Sequence, residues 1–160
     1  FSKSGLDFGS RLLIENGIEI ERLDVLDLGC GYGPIGIVYK QYNKQANVTM
    51  SDVNLRAIDL ASKNAHANNL DIQVIESDGF EQINQQFDLI ITNPPVRTGK
   101  QKIYQLFADS HGHLNDDGTL LFVMNKKQGA MSAVNFCEAI FKNVEIISKK
   151  SGFCVIQCIK

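Results

Sequence analysis

The 160-residue chain is short of the residues that staple folds, hold metals or cross membranes, with only four cysteines and three histidines. Cys30, Cys137, Cys154 and Cys158 form no CxxC pair, and a chain of this size has room for a core that needs no disulfides. Free thiols packed among apolar side chains in a reducing, cytoplasmic setting are expected. Cys154 and Cys158 stand an even number of residues apart in a strand-like run and so share one face. His66, His111 and His113 stand in no HExxH or comparable spacing. No metal site is therefore expected, and His111-Gly112-His113 reads as an exposed helix end. No apolar run approaches the ~18 residues that a membrane-spanning helix needs, and no secretory leader pattern is visible. The sequence opens at Phe1 instead of Met, which leaves room for residues upstream.

What is present suits an ordinary folded domain over 1–160. With 44% apolar and 21% charged residues the chain can bury a core and keep a solvated surface. The net charge of −2 favours no partner, but its distribution is uneven. Residues 1–96 hold 7 basic and 13 acidic side chains, and residues 97–160 hold 9 and 5. An acidic half suits a cationic ligand and a basic half suits a polyanion, although solvated surfaces also arise with such a bias.

Short β-rich apolar runs at 24–28, 48–51, 72–75, 87–92, 119–124, 144–147 and 153–159 read as strands. Helical patterns fall between them. One precedes the first strand at 7–17, and another starts at Pro34, where a missing N–H costs nothing. A third covers 54–68, with Leu55, Ile58, Ala61 and Ala65 on one face and Asn54 as its cap. Two more cover 101–114 (Ile103, Leu106, Phe107, Leu114) and 128–141 (Met131, Val134, Ala139, Ile140, Phe141). Alternating strands and helices imply βαβ units: an α/β, Rossmann-like, doubly wound seven-stranded sheet, mostly parallel, with helices on both faces. Lys149-Lys150-Ser151-Gly152 is too short for a crossover. The last two strands therefore form a hairpin, which makes one strand antiparallel.

Asp27-Leu28-Gly29-Cys30-Gly31-Tyr32-Gly33 leaves the first strand and enters the Pro34 helix. Gly29, Gly31 and Gly33 permit a tight turn and let a ligand lie against the backbone, and the helix supplies free N–H groups. Dinucleotide enzymes hold a pyrophosphate on such a turn. Here Asp27 sits just inside it, where a carboxylate disfavours a diphosphate and suits a cation. S-adenosylmethionine carries an ammonium and a sulfonium, and charge favours it over a dinucleotide. A tight turn without a ligand is the plainer alternative. Asp52 (followed by Val53) and Asp78 (followed by Gly79) close the second and third strands. In this fold class a carboxylate at the first place reaches a ribose diol, and one at the second can accept from an adenine amino group. Singly each is an ordinary loop Asp. Acids at three successive strand ends form a stronger pattern.

Thr92-Asn93-Pro94-Pro95-Val96 follows the fourth strand. Two prolines stiffen the loop and remove N–H donors. The Asn93 side-chain oxygen and a rigid main-chain carbonyl, that of Pro94, can together grip the two hydrogens of a planar NH₂ group. A rigid structural turn is the alternative.

Two motifs, Asp27 to Gly33 and Asn93-Pro-Pro-Val96, resemble those of N-directed class I methyltransferases. Adding Phe1-Ser2, Leu6-Asp7-Phe8-Gly9-Ser10-Arg11-Leu12-Leu13 and Arg97-Thr-Gly-Lys100, the whole chain is similar to the bacterial small-subunit ribosomal RNA guanine-N2 methyltransferase family. The resemblance implies S-adenosylmethionine as cofactor, bound at Asp27, Gly29, Gly31, Gly33, Asp52, Val53, Asp78, Gly79 and Asn93. It implies Asn93, Pro94 and Pro95 as catalytic residues. Val96, Arg97 and Lys100 are then expected at an RNA substrate. Adenine and glutamine methylators of this type carry an aromatic at the fourth tetrad position. Val96 departs from that, leaving Phe8, Tyr32, Phe153 or an upstream residue to stack on the base. Arg97, Lys100, Lys102, Lys126 and Lys127 are candidate phosphate contacts or simply a solvated face. A glutamine or adenine methyltransferase and a non-catalytic cofactor-binding module remain the alternatives.

Overall fold

The computed structural model describes residues 5–160, so Phe1 and Ser2 lie outside the described residues. In chain order the elements are α1 (Phe8–Gly17), β1 (Asp24–Leu28), α2 (Pro34–Tyr42), β2 (Asn47–Asp52), α3 (Leu55–Ala67), β3 (Gln73–Glu76), β4 (Phe87–Thr92), α4 (Lys100–Gly112), β5 (Leu114–Asn125), α5 (Ala130–Glu138), β6 (Asn143–Lys150) and β7 (Phe153–Ile159). The strands form one sheet in the order β3-β2-β1-β4-β5-β7-β6. β3, β2, β1, β4 and β5 pair in parallel, and β7 runs antiparallel to both of its neighbours. This is the expected architecture, with β7 as the reversed strand.

Successive strand residues point to opposite faces, so each central strand feeds two cores. Leu26, Ile90, Leu120, Phe122, Ile156, Cys154 and Cys158 join the core with Ile103 and Phe107 of α4 and Val134 and Cys137 of α5. Val25, Leu89, Ile91, Leu121, Val123 and Val155 join the core with Leu12 and Leu13 of α1, Ile35 and Tyr39 of α2, and Ala61 of α3. All four cysteines are free and buried, Cys154 and Cys158 on the same face as expected.

Several local expectations need correction. Leu55 is 65% exposed, because α3 buries the alanine stripe Ala57, Ala61 and Ala65, which lies about 200° round the helix from it. Met131 is 49% exposed, since α5 buries Ala130, Ala133, Val134 and Cys137 instead. Helix α5 ends at Glu138, so Ala139, Ile140 and Phe141 follow it. Leu114 opens β5 instead of closing α4, paired across from Phe87. The terminal hairpin turns on Ser151-Gly152 alone, both with positive φ, as a two-residue hairpin loop requires, and Lys149 and Lys150 belong to β6. His113 is not an exposed helix end. Its ring stacks on Phe80 with centroids 4.2 Å apart, and its Nδ1 and Nε2 lie 2.8 and 3.1 Å from the carbonyl oxygens of Asp109 and Ile83. It thus pins the end of α4 to the segment after β3.

Helix α2 lies tightly against the sheet beside β1 and β2. A Cβ on Gly36 would come within 2.7 Å of Met50 Cγ and Sδ and 3.1 Å of Asp27 Oδ2. Met50 is fully buried and has nowhere to retreat. Gly36→Ala is expected to destabilise the fold by about 1–3 kcal/mol through overpacking. Urea denaturation measures this, and an unchanged midpoint would refute the close-packing role of Gly36.

Candidate active site

Both motifs leave the carboxyl edge of the sheet on adjacent strands, at the point where chain order reverses from β3 back to β4. Open α/β sheets bind ligands in the crevice at such a point. Leu28 and Thr92 are register partners, and the Thr92 hydroxyl donates to the Leu28 carbonyl at 2.8 Å in a buried hydrogen bond. The glycine turn and the Asn-Pro-Pro turn are therefore tied together at their roots.

Gly29, Gly31 and Gly33 all have positive φ, which only glycine adopts without strain. No atom lies within 4 Å of where a Cβ would stand on Gly29 or Gly31, so the turn presents bare backbone to open space. Gly33, with φ +98°, starts α2 without a side-chain cap, and Pro34 follows it in the first turn as expected. Asp27 lies beneath the turn and is only 1% exposed. Its Oδ2 accepts from the Gly36 N–H at 2.8 Å, while Oδ1 has no partner among the described residues. Burial pushes its carboxyl up to about 7, the Gly36 N–H opposes that shift, and the negative Asp52 adds to it. Burial, with Asp27 and Asp52 nearby, also pushes the Cys30 thiol up. Cys30 is thus a protonated packing residue and no nucleophile.

Asp52 holds the turn from the neighbouring strand. Its Oδ2 accepts from the Gly31 N–H at 2.9 Å and its Oδ1 from the Asn54 N–H at 2.9 Å. Asn54 caps α3 as the sequence implies, accepting from the N–H groups of Arg56 and Ala57. Val53 is 62% exposed beside Asp52, an apolar surface at the mouth of the cradle. Asp78 and Gly79 stand at the same edge, since the Ser77 N–H donates to the Asp52 carbonyl at 3.0 Å. Lys102, a candidate phosphate contact, lies 3.9 Å from Asp78 with both side chains largely solvated.

The tetrad is anchored from an unexpected direction. Asn93 Nδ2 donates to Ser10 Oγ at 3.0 Å and approaches Asp7 Oδ1 at 3.4 Å. Asp7 caps α1 by accepting from the Ser10 N–H at 3.0 Å. Since Asp7 can only accept, the amide must turn its nitrogen toward α1, and no described residue donates to Asn93 Oδ1. Thr98 donates to the Pro95 carbonyl through both N–H and hydroxyl, whereas no described residue donates to that of Pro94. Val96 and Arg97 form a short 3-10 turn, and Lys100 begins α4 with its Nζ 5.4 Å from the Tyr104 ring centre. Arg97, Lys100, Lys126 and Lys127 are all exposed, and a cavity of about 180 Å³ opens beside Val96 and Lys100. A larger cleft, about 420 Å³, lies at the opposite sheet edge around Asp24, Lys40, Asn47 and Asp71 and contains no candidate residue. Phe8 and Phe153 pack with ring centroids 5.5 Å apart and planes tilted by 42° beside the α1 cap, whereas Tyr32 lies in the glycine turn. The segment from Leu6 to Leu13 contributes to the family resemblance, but the contact of Asp7 and Ser10 with Asn93 carries no local signal in the sequence. An N-cap Asp followed three residues later by Ser is an ordinary helix start.

A doubly wound sheet with one reversed strand, a glycine cradle over a buried carboxylate and an amide acceptor on the next strand defines a class I S-adenosylmethionine-dependent methyltransferase fold. The chain belongs to the methyltransferase small domain family, whose model matches residues 1–157. It is 42% identical to the uncharacterized protein YbxB of Bacillus subtilis, across the whole of this chain and 82% of that one. It is 36% identical to ribosomal RNA small subunit methyltransferase C of Haemophilus ducreyi, over 96% of this chain but 47% of that one. The chain thus spans about half the length of that relative. A solved T. thermophilus 16S rRNA N2 methyltransferase, in complex with AdoMet and guanosine, superposes with a TM-score of 0.88 at 26% identity, covering all of this chain and 45% of that one.

S-adenosylmethionine is accordingly the cofactor, and the residues fit it. The side-chain-free space over Gly29 and Gly31 leaves room for a ligand, and the unpartnered Asp27 Oδ1 favours a cationic one. Asp27 in the cofactor-free protein keeps a proton that the unfolded chain releases near its ordinary value of 3.8. Its contribution to stability is therefore present below about 4 and lost as pH rises through about 7. The thermal midpoint of the cofactor-free protein is expected to fall more steeply between pH 5 and pH 7.5 than that of Asp27→Asn. Scanning calorimetry at fixed ionic strength measures both slopes. Equal slopes would remove the buried-carboxylate account.

Proposed function

We propose that this domain is a cytoplasmic enzyme that transfers a methyl group to the exocyclic N2 amine of guanine in RNA, with ribosomal RNA as the substrate. The observation that carries the amine target is the orientation of Asn93, and the guanosine in the T. thermophilus complex supports guanine. Its nitrogen is committed to α1, which leaves its oxygen as an acceptor, and the carbonyl of the next residue, Pro94, takes no hydrogen bond from a described residue. Two such acceptors would match the two hydrogens of a planar amine, and a hydroxyl or carbonyl target would leave at least one of them unmatched.

In this reading Asp27, Asp52 and the Gly29–Gly33 backbone hold the cofactor, with Val53, Asp78 and Gly79 around its adenosine part. S-adenosylmethionine supplies an electrophilic methyl group. Asn93 and the Pro94 carbonyl orient the amine so that its lone pair faces the methyl carbon, and Pro95 stiffens the turn that carries them. With the cofactor bound, the amine lone pair so aligned would take the methyl group, sulfur would keep the S–C electron pair, and one amine proton would leave to solvent. Methyl transfer of this kind depends chiefly on alignment and the exclusion of water. Val96 offers no ring to stack on the target. The Phe8–Phe153 pair is the stacking surface in this reading, with Phe8 38% exposed at the α1 cap. Arg97 and Lys100, on the far side of the tetrad, suit the flanking phosphates. The relatives named for small-subunit ribosomal RNA support ribosomal RNA as the substrate.

Asn93→Ala is expected to lower kcat by roughly 10²-fold or more, the usual cost of one preorganised hydrogen bond in a transition state. Cofactor affinity by calorimetry should be nearly unchanged. The assay is transfer of radiolabel from S-adenosylmethionine to total ribosomal RNA, followed by nucleoside analysis for N2-methylguanosine. Full activity of the variant, or label on adenine, would sink the proposal.

A further inference from the structure

We infer that Asp7 and Ser10, at the start of α1, are positioning residues for methyl transfer, acting through the Asn93 amide. The inference rests on the reading of Asn93 as the amine acceptor and goes beyond it. An asparagine side chain on a turn can flip its amide, and a flipped Asn93 would point N–H groups at the target amine and repel it. The Asp7 carboxylate, which can only accept, opposes that flip, and the Ser10 hydroxyl accepts beside it. Ser10 Oγ lies 3.0 Å and Asp7 Oδ1 3.4 Å from Asn93 Nδ2. Both side chains are themselves held. Ser10 is only 6% exposed, and the Asp7 carboxylate is fixed by the Ser10 N–H at the helix cap. Gly9 lies between them against the Phe153 ring, with 3.3 Å from its Cβ position both to that ring and to Asp7 Oδ1. A bulkier residue there would displace the carboxylate. The same short segment therefore caps the helix, orients the amide and supports the aromatic pair.

Asp7 adds charge to geometry. As the N–C bond forms and the S–C bond breaks, the amine nitrogen becomes positive until it releases its proton to solvent. A carboxylate bonded to the far side of the Asn93 amide polarises that amide, making Oδ1 a stronger acceptor at the moment the amine hydrogens become acidic. A helix cap alone has no such consequence, since any capping side chain satisfies α1.

The test reverses the polarity of the pair. Asp7→Asn keeps a capping oxygen but removes the charge, and Ser10→Ala removes one anchor. Each is expected to lower kcat on total ribosomal RNA by about tenfold, the weight of one hydrogen bond of this kind. Cofactor dissociation constants by calorimetry should stay within about twofold, because neither residue reaches the glycine cradle. Asn93→Asp sets two carboxylates against each other and is expected to lower kcat further. In that background Asp7→Asn supplies a donor where repulsion stood, so the double variant should be more active than Asn93→Asp alone. A substitution that harms the native background and helps the altered one identifies a direct partnership, since a structural role would impair both alike. Wild-type kcat in Asp7→Asn and Ser10→Ala, or a double variant no better than Asn93→Asp, overturns the inference. If those outcomes accompany an inactive Asn93→Ala, the reading of Asn93 survives and only its anchoring fails. Full activity of Asn93→Ala removes that reading itself.

Discussion

The hydrogen bond between the Thr92 hydroxyl and the Leu28 carbonyl joins the ends of two parallel strands at the centre of the sheet. On one side the chain turns into the glycine cradle, and on the other into the rigid Asn-Pro-Pro loop. Group transfer needs donor and acceptor sites held within a few tenths of an ångström of a productive arrangement. The parallel register of β1 and β4 supplies that through strands buried on both faces, where nothing can slip without moving a whole core. Each other site feature reaches this junction through neighbouring elements: Asp52 through β2, Asp78 through β3 and then β2, and Asp7 and Ser10 through α1.

Function is bought at some cost in stability beneath the cradle. Asp27 is a buried carboxylate with one oxygen unmatched, in a place where an apolar residue would pack more favourably. It is tolerated because the first turn of α2 donates Gly36 N–H to it, and because Gly36 lets that turn approach Met50 and Asp27 closely. In the proposed reading a cationic cofactor bound on the turn would remove part of the penalty, and cofactor binding and stability would then be coupled through a single side chain. The charge arrangement extends the same division outward. Acids surround the cradle, and the exposed Arg97, Lys100, Lys126 and Lys127 follow β4 and β5.

Much was legible in the sequence because the relevant signals are local. Strand after strand alternates or runs apolar according to whether one or two faces are covered, and the seven strands follow from that periodicity. The short connection before β7 dictates its reversal. Glycines forced to positive φ, the proline in the first turn of α2 and the Asn54 cap are each decided within a few residues of backbone. Where the periodicity was read too simply, packing prevailed. Small alanines gave α3 its buried stripe in place of Leu55, and Met131 faces solvent because Ala130 and Ala133 fit the sheet more closely.

Tertiary structure alone decided the relations between residues far apart in the chain. Asp7 and Asn93 are separated by 86 positions, and nothing in either segment indicates that a helix cap would turn round the amide of a tetrad. His113 looked like a solvated helix end, and it is a clamp only because Phe80 and Ile83 come back to meet it. Cys154 and Cys158 could be assigned to a common strand face, but that Cys137 of α5 packs in the same core is a consequence of helix placement. The sequence by itself determined the order of the strands and helices and the sheet they form, because backbone sterics and hydrophobic periodicity act over short range. The folded chain determined which acceptor Asn93 offers and which carboxylate is stranded without a partner, because hydrogen-bond direction and burial are set by neighbours that only the completed sheet brings within reach.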